Sequence, residues 1–169
     1  RRISTVIKSA KKYLDDIIVV DDASNDKTAE IASQSGAFVI RNSENLGYEH
    51  ALEKGFNYAL KNNATSVLTM DADGEHPEKF IGVMVDLIEK DGYELVIGYR
   101  NKLPRFSEKV YSYITNAMFS VRDITCGMKC YKIDLYEKYG FCGSINSIGT
   151  RLAMKSLKKK SRVKQVSIG

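Results

Sequence analysis

Several things are missing from this sequence, and each absence narrows what it can be. No apolar run approaches the ~20 residues of a membrane-spanning helix, and no secretory leader is visible. Cysteine is scarce. Cys126, Cys130 and Cys142 form an odd set without the paired spacing of a zinc site, and His50 and His76 are not spaced to complete one. Reduced, mostly buried thiols of a cytoplasmic chain are the expectation. Neither a P-loop nor G-x-G-x-x-G occurs, so the usual ATP and dinucleotide routes lack their signature. The basic run near the end has no interleaved aromatics and no nucleic-acid motif accompanies it, which argues against nucleic acid as a partner. There is no internal repeat, low-complexity stretch or interdomain linker.

What is present suits one globular domain with a core: 169 residues, 43% hydrophobic and 28% charged. The net charge of +5 is modest, and much of it sits in Lys155, Lys158, Lys159, Lys160, Arg162 and Lys164. Such a cluster reads as a solvated helix end. The competing reading is a basic C-terminal patch making peripheral contact with anionic lipid at the cytoplasmic face of a membrane.

Hydrophobic spacing alternates between helix and strand along most of the chain. Ile3 to Leu14 repeats as a helix. Ile17–Val20, Ala37–Ile40, Val67–Met70 and Leu95–Ile97 are short apolar runs of the kind buried strands make. Between them lie helical patterns through Ala29–Ala32, from Gly47 to Asn62, and from Phe80 to Ile88. Later, Pro104 to Phe119 reads as a loop and an amphipathic helix, Met128 to Lys132 as a strand, Gly149 to Leu157 as a helix, and Val163 to Ile168 as a final strand. Strands alternating with helices predict a mostly parallel sheet flanked by helices. Right-handed crossovers then bring the strand ends after Val20, Ile40, Met70 and Ile97 to one edge.

That edge is where the chemistry-bearing residues fall. Val67-Leu-Thr-Met runs into Asp71-Ala72-Asp73-Gly74-Glu75-His76-Pro77. Two carboxylates spaced i, i+2 at a strand's carboxyl end repel each other by roughly 1 kcal/mol in water and ~4 kcal/mol at an effective dielectric of 20, for a ~4 Å separation. A divalent cation reverses that sign, and Mg²⁺ or Mn²⁺ suits such oxygen ligands. Glu75 is a candidate third ligand. An EF-hand is excluded because Gly74 comes too early and the twelfth position is Gly82. His76, before Pro77, reads as a capping or packing residue.

Asp21-Asp22-Ala-Ser24-Asn-Asp26 lies at another strand tip. A plain helix-capping turn accounts for Ser24 and Asp26, but less well for two successive acids, which can accept bonds from a base or ribose. Asn45-Leu46-Gly47 precedes a helix and reads either as a turn or as a phosphate-approach loop. Arg100, with Arg105 shortly after, can grip a diphosphate or an acceptor phosphate in bidentate fashion. Asp123 is a candidate general base, with an ordinary turn acid as the alternative.

Taken together, Ile18-Val-Val-Asp21-Asp22-Ala-Ser24-Asn-Asp26-Lys-Thr28, Asn45-Leu-Gly47 with Ala51 and Gly55, Met70-Asp71-Ala-Asp73-Gly-Glu75-His-Pro77, Gly98-Tyr-Arg100 and Asp123 to Gly127 resemble the family-two nucleotide-diphospho-sugar glycosyltransferases. The resemblance is nearest to the dolichyl-phosphate mannose synthase-like and polyprenyl-phosphate sugar transferases. It implies a glycosyltransferase A (Rossmann-like) α/β domain over 1–169 and a metal-dependent inverting transfer from a UDP- or GDP-sugar. By match, Asp22 contacts the base, with Asp21, Asn45, Gly47 and Ala72 in the donor pocket. Asp71 lies near the ribose and diphosphate, and Asp71, Asp73 and Glu75 surround the metal. Arg100 and Arg105 face phosphate, and Asp73, Arg100 and Asp123 are the candidate catalytic residues.

The chain departs from the family pattern at several points. The family's first strand and its Pro-x-Tyr-Asn-Glu-like segment are absent, and the reading expects a fragment lacking residues at both ends. Glu75 stands where glutamine is frequent, Met128 where an aromatic is common, and Arg151 where an acid is common. The implied acceptor is a polyprenyl or dolichyl phosphate. A saccharide hydroxyl is the first alternative, and sugar-phosphate nucleotidyltransfer or a non-catalytic nucleotide-binding module are the others.

Overall fold

The computed structural model describes residues 2–101, 103, 105–140 and 150–169. The first helix, α1 (Arg2–Ala10), buries Ile3, Ile7 and Ala10 at i, i+4 and i+7. The strand β1 (Ile18–Asp21), helix α2 (Thr28–Gln34) and strand β2 (Phe38–Arg41) form a βαβ unit with the strands parallel. Ile3, Ile7, Ala32 and Ala37 make its small core.

Next come α3 (Tyr48–Lys61), β3 (Ser66–Thr69), α4 (Phe80–Glu89), β4 (Leu95–Tyr99) and α5 (Phe106–Phe119). They are followed by β5 (Lys129–Lys132), α6 (Ile133–Tyr139), α7 (Arg151–Lys158) and β6 (Val163–Ser167). The second sheet has the order β3-β5-β4-β6. β4 and β6 are parallel, and β5 runs antiparallel to both of its neighbours, β3 and β4. Thus β3, β4 and β6 share one direction and β5 alone opposes it. α3 packs against both β1 and β3 and so bridges the two sheets.

The burial of β4 explains its sequence. Leu95 and Ile97 enter a core with Phe56, Tyr131, Leu152 and Leu157 on one face of the sheet. Val96 enters the core on the other face with Ile81, Met84, Met128 and Cys130. A strand covered on both faces reads as an unbroken apolar run instead of an alternating one.

Three features were not anticipated from the sequence. β5 inserts between β3 and β4 instead of extending the succession of parallel strands. The segment after β5 is a helix, α6, which buries Ile133, Leu135 and Tyr136. Finally, α5 is amphipathic but inverted: Thr115 is its buried residue, whereas Phe106, Val110, Tyr111, Tyr113, Ile114 and Met118 are exposed. Pro104, Gly149 and Cys142, which figured in the sequence reading, lie outside the described residues.

Candidate functional site

The tips of β1, β3 and β4 carry the candidate residues, and the structure joins most of them through a chain of contacts. At the first tip, Asp22 accepts hydrogen bonds from Asn42 Nδ2 (2.6 Å), the Leu46 backbone N–H (2.9 Å) and the Gly47 backbone N–H (2.6 Å). The Leu46 bond, followed by the Asn42 bond, holds its carboxyl below the ordinary value. Three of its roughly four acceptor positions are therefore spent closing the loop that enters α3, where Gly47 adopts φ +89°.

Asp21 is only 3% exposed. Its Oδ1 accepts the Ser24 N–H, and its Oδ2 lies 3.2 Å from Arg41 Nε, outside hydrogen-bonding alignment. Asp21 thus organises the turn from inside, and the expected contact with a donor has no open carboxylate behind it. Asn45 remains exposed on the loop.

The second tip is the acid pair. Asp71 Oδ1 accepts the Tyr48 hydroxyl proton (3.1 Å), which links the start of α3 to the end of β3. The Asp71 backbone N–H donates to His76 Nδ1 (3.0 Å). The imidazole proton is therefore assigned to Nε2, which lies 3.8 Å from Asp71 Oδ2. Burial lowers the His76 pKa, and the Asp71 charge is the largest influence opposing it. His76 is thus the capping residue of the acid turn.

Asp73 Oδ1 accepts the Glu75 N–H (2.9 Å), and Ala72, Asp73 and Glu75 are exposed. Among the described residues no group of three or more His, Cys, Asp or Glu side chains gathers as a metal cluster. The expected set of Asp71, Asp73 and Glu75 therefore does not close. The donor chemistry still suits Mg²⁺ or Mn²⁺, because such ions are commonly held by one or two carboxylates together with substrate phosphates and water. Asp71 and Asp73 are the residues that would hold the ion.

Gly127 sits directly against Asp71. A Cβ at this glycine would stand 2.8 Å from the Asp71 Cγ. Thr69 Oγ1, at the end of β3, donates to the Gly127 carbonyl (2.8 Å) and keeps the loop in place. The same loop carries Asp123, which is 1% exposed. Asp123 receives Arg100 Nε at 2.8 Å and Nη2 at 3.3 Å, together with the Thr125 hydroxyl at 2.7 Å. Burial pushes the Asp123 carboxyl up, but the Arg100 and Thr125 bonds outweigh it and hold the pKa below the ordinary value. A buried, paired carboxylate of lowered basicity is a poor general base. The geometry makes Asp123 the residue that aims Arg100.

Beyond Arg100 opens a cleft of about 320 Å³ lined by Tyr99, Arg100, Asn101, Ser112, Asn116 and Arg122, among others. Arg122 lies over the Tyr99 ring. Arg105 is exposed at the start of α5, where its backbone N–H donates to Glu108, and it does not line this cleft.

Sequence reasoning missed Tyr48, Gly127 and Lys129. Lys129 is 2% exposed and donates to the Cys126 carbonyl. Burial lowers its pKa, against the acids Asp123, Asp71 and Glu49 around it. Its polar position on a buried strand was the available signal. Cys126 and Cys130 are free and buried, and burial pushes the Cys130 thiol up to about 12. In the basic cluster, Arg162 and Lys164 lie over the Tyr93 ring, while Lys158, Lys159 and Lys160 are exposed at the end of α7. No helix among the described residues is long and apolar enough to cross a membrane.

The family model described as Glycosyl transferase family 2 matches residues 1–144. The chain belongs to that family. An uncharacterized protein of Methanocaldococcus jannaschii is 30% identical over 152 residues, covering 82% of this chain and 62% of that protein. The dolichyl-phosphate hexose transferase of Haloferax volcanii is 33% identical over 130 residues, covering 70% of this chain and 54% of that protein. Glucosyl-3-phosphoglycerate synthase of Mycobacterium tuberculosis, crystallised with Mn²⁺ and uridine-diphosphate-glucose, shares the fold with a TM-score of 0.79 at 22% identity, covering 99% of this chain and 64% of that one. The chain thus spans less than two thirds of each of these proteins. The glycosyltransferase A-like α/β fold expected from the sequence is the fold observed.

Proposed function

We propose that this domain transfers a hexosyl group from a UDP- or GDP-linked donor to a polyprenyl phosphate, with Mg²⁺ or Mn²⁺ bound at the acid tip. The observation that carries this reading is the 123–127 loop. At one end its Gly127 packs on Asp71, and at the other its Asp123 aims Arg100 into the cleft. One loop thereby fixes the spacing between an acid tip suited to a metal diphosphate and an arginine-lined recess suited to an anion.

In the transfer, the acceptor oxygen attacks the anomeric carbon in line, the bond to the diphosphate breaks, and its electron pair stays with the departing nucleoside diphosphate. The bound dication supplies charge neutralisation of that leaving group. Asp71 and Asp73 would hold that ion at the end of β3, beside the place of the diphosphate. Tyr48 and His76 hold Asp71 in place. Arg100 and Arg122 present N–H groups to an acceptor phosphate. A phosphate oxygen is already anionic and needs no base, which agrees with Asp123 being committed to Arg100. A saccharide hydroxyl would need one, and among the described residues that line the cleft there is no other candidate base, so the phosphate acceptor is preferred.

The dolichyl-phosphate hexose transferase relative supports a lipid-phosphate acceptor by its name. Calorimetric titration with UDP or GDP in the presence of Mn²⁺ tests the donor side. Asp73→Ala is expected to abolish the metal-dependent part of binding, and unchanged affinity in that variant rejects the role given to the acid tip.

A further inference from the structure

Lys129 is a cation in a place built for apolar side chains. It opens β5, the strand enclosed between β3 and β4, and pairs there with Thr69 and Ile97. The alternation of a strand puts it on the same face as Tyr131, where Ile97, Phe56 and Leu152 make the core. The residue is 2% exposed. Its ammonium turns back to donate to the Cys126 carbonyl, and the carboxylates of Asp123, Asp71 and Glu49 are among the charges acting on it.

The carbonyl alone does not account for the charge. A neutral amide or hydroxyl would satisfy Cys126, and an ammonium costs far more to bury than either. The acids account for it, and they are not equivalent. Asp123 already receives Arg100 at 2.8 Å. Asp71 is met by the Tyr48 hydroxyl and by the His76 imidazole, which burial keeps neutral. Glu49 stands in the first turn of α3, next to Tyr48. Lys129 thus lies behind the acid tip, on the core side of the Gly127 loop, while Asp73 is exposed in front of it.

We propose that the ammonium of Lys129 is a fixed counter-charge behind the acid tip. It weakens the tip's hold on a bare dication and strengthens its hold on a diphosphate, so the site favours a dication that carries a diphosphate over the bare ion. In this role Lys129 acts through its field, without contact. The inference rests on the function proposed above, because it takes Asp71 and Asp73 as the residues that would hold the ion. A buried charge is screened little and acts over several ångströms. A residue that only shaped the loop would, when replaced, weaken both ligands together.

The test is calorimetric titration of the whole chain with Mn²⁺ alone, with UDP or GDP in the presence of chelator, and with nucleotide and Mn²⁺ together. Lys129→Met keeps nearly the length of the side chain and removes its charge. It is expected to bind Mn²⁺ alone about tenfold more tightly and nucleotide alone about tenfold more weakly. Glu49→Gln removes a negative charge that acts on the same ammonium, and should move both affinities the opposite way. The inference is overturned if Lys129→Met shifts both affinities in one direction or leaves both unchanged. Should that variant not fold, Glu49→Gln decides, and affinities there that stay put or fall together overturn it. A wild type that binds neither nucleotide with Mn²⁺ overturns the proposed function and this inference with it. A wild type that binds them together, with variants that move both affinities in parallel, overturns the inference alone.

Discussion

Gly127 shows how one missing side chain sets the position of another residue's charge. With a methyl group 2.8 Å from the Asp71 Cγ, either the loop or the carboxylate must shift. The loop is held by Thr69 and the carboxylate by Tyr48, so the added methyl strains both and moves the Asp71 oxygens from their place. Gly127→Ala is expected to cost about 1–3 kcal/mol in overpacking while removing most Mn²⁺-dependent nucleotide affinity by calorimetry. Retained affinity would show that Asp71 does not need this placement.

Arg100 and Asp123 give a second case. Arg100→Leu leaves a buried carboxylate without its cation and is expected to cost about 3 kcal/mol in urea denaturation at neutral pH, the lower end for a broken pair because Arg100 keeps some exposure. The pH dependence has a definite sign. The folded pKa of Asp123 lies below its ordinary 3.8, so the pair stabilises at pH above that value, and the contribution is lost as pH falls through the lower folded pKa. The stability gap between the wild type and Asp123→Asn should accordingly be widest at neutral pH and close below about 4. Asp71 and Arg100 could be read from their places at strand ends. Their partners could not, because Tyr48, Gly127 and Asp123 reach them across long stretches of chain, and no local spacing encodes such a pairing.

At the scale of elements, local pattern conveyed type better than placement. The apolar runs of β1 to β4 and the full periodicity of α4 were legible because burial on one or both faces leaves its own period. The amphipathic character of α5 was equally legible, but which face it turns inward depends on Arg100 and the cleft, which are tertiary facts. α6 is only seven residues long, too short for a period to stand out, and its position depends on α3. There Phe56 is 1% exposed and meets Tyr131 edge-on at 5.4 Å and Tyr136 at 5.0 Å. Phe56→Ala is expected to lose about 3–5 kcal/mol. Because α3 also bridges the two sheets, the loss should appear as one cooperative unfolding step at a lower midpoint. A second resolved transition in calorimetry would mean that the βαβ unit and the larger sheet unfold independently.

For the whole molecule, the candidate donor site straddles the two sheets. Asp22 and the Gly47 loop belong to the side of β1 and β2, while Asp71, Asp73 and Arg100 belong to the larger sheet. Across that seam run the packing of α3 and the bond from Tyr48 to Asp71. A ligand that touches both sides must stabilise both, because binding restricted to the folded state adds to its stability as RT times the logarithm of one plus the ratio of free ligand to dissociation constant. At a hundredfold excess over the dissociation constant the gain is about 2.7 kcal/mol, roughly 5–10 °C for a chain of this size. UDP or GDP with Mn²⁺ should therefore raise the melting temperature well beyond either component alone, and a chelator should return it to the starting value. An equal rise with nucleotide in the presence of chelator would place the nucleotide on this fold without the acid tip. No rise with either nucleotide and Mn²⁺ together would leave the acids as helix caps and nothing more.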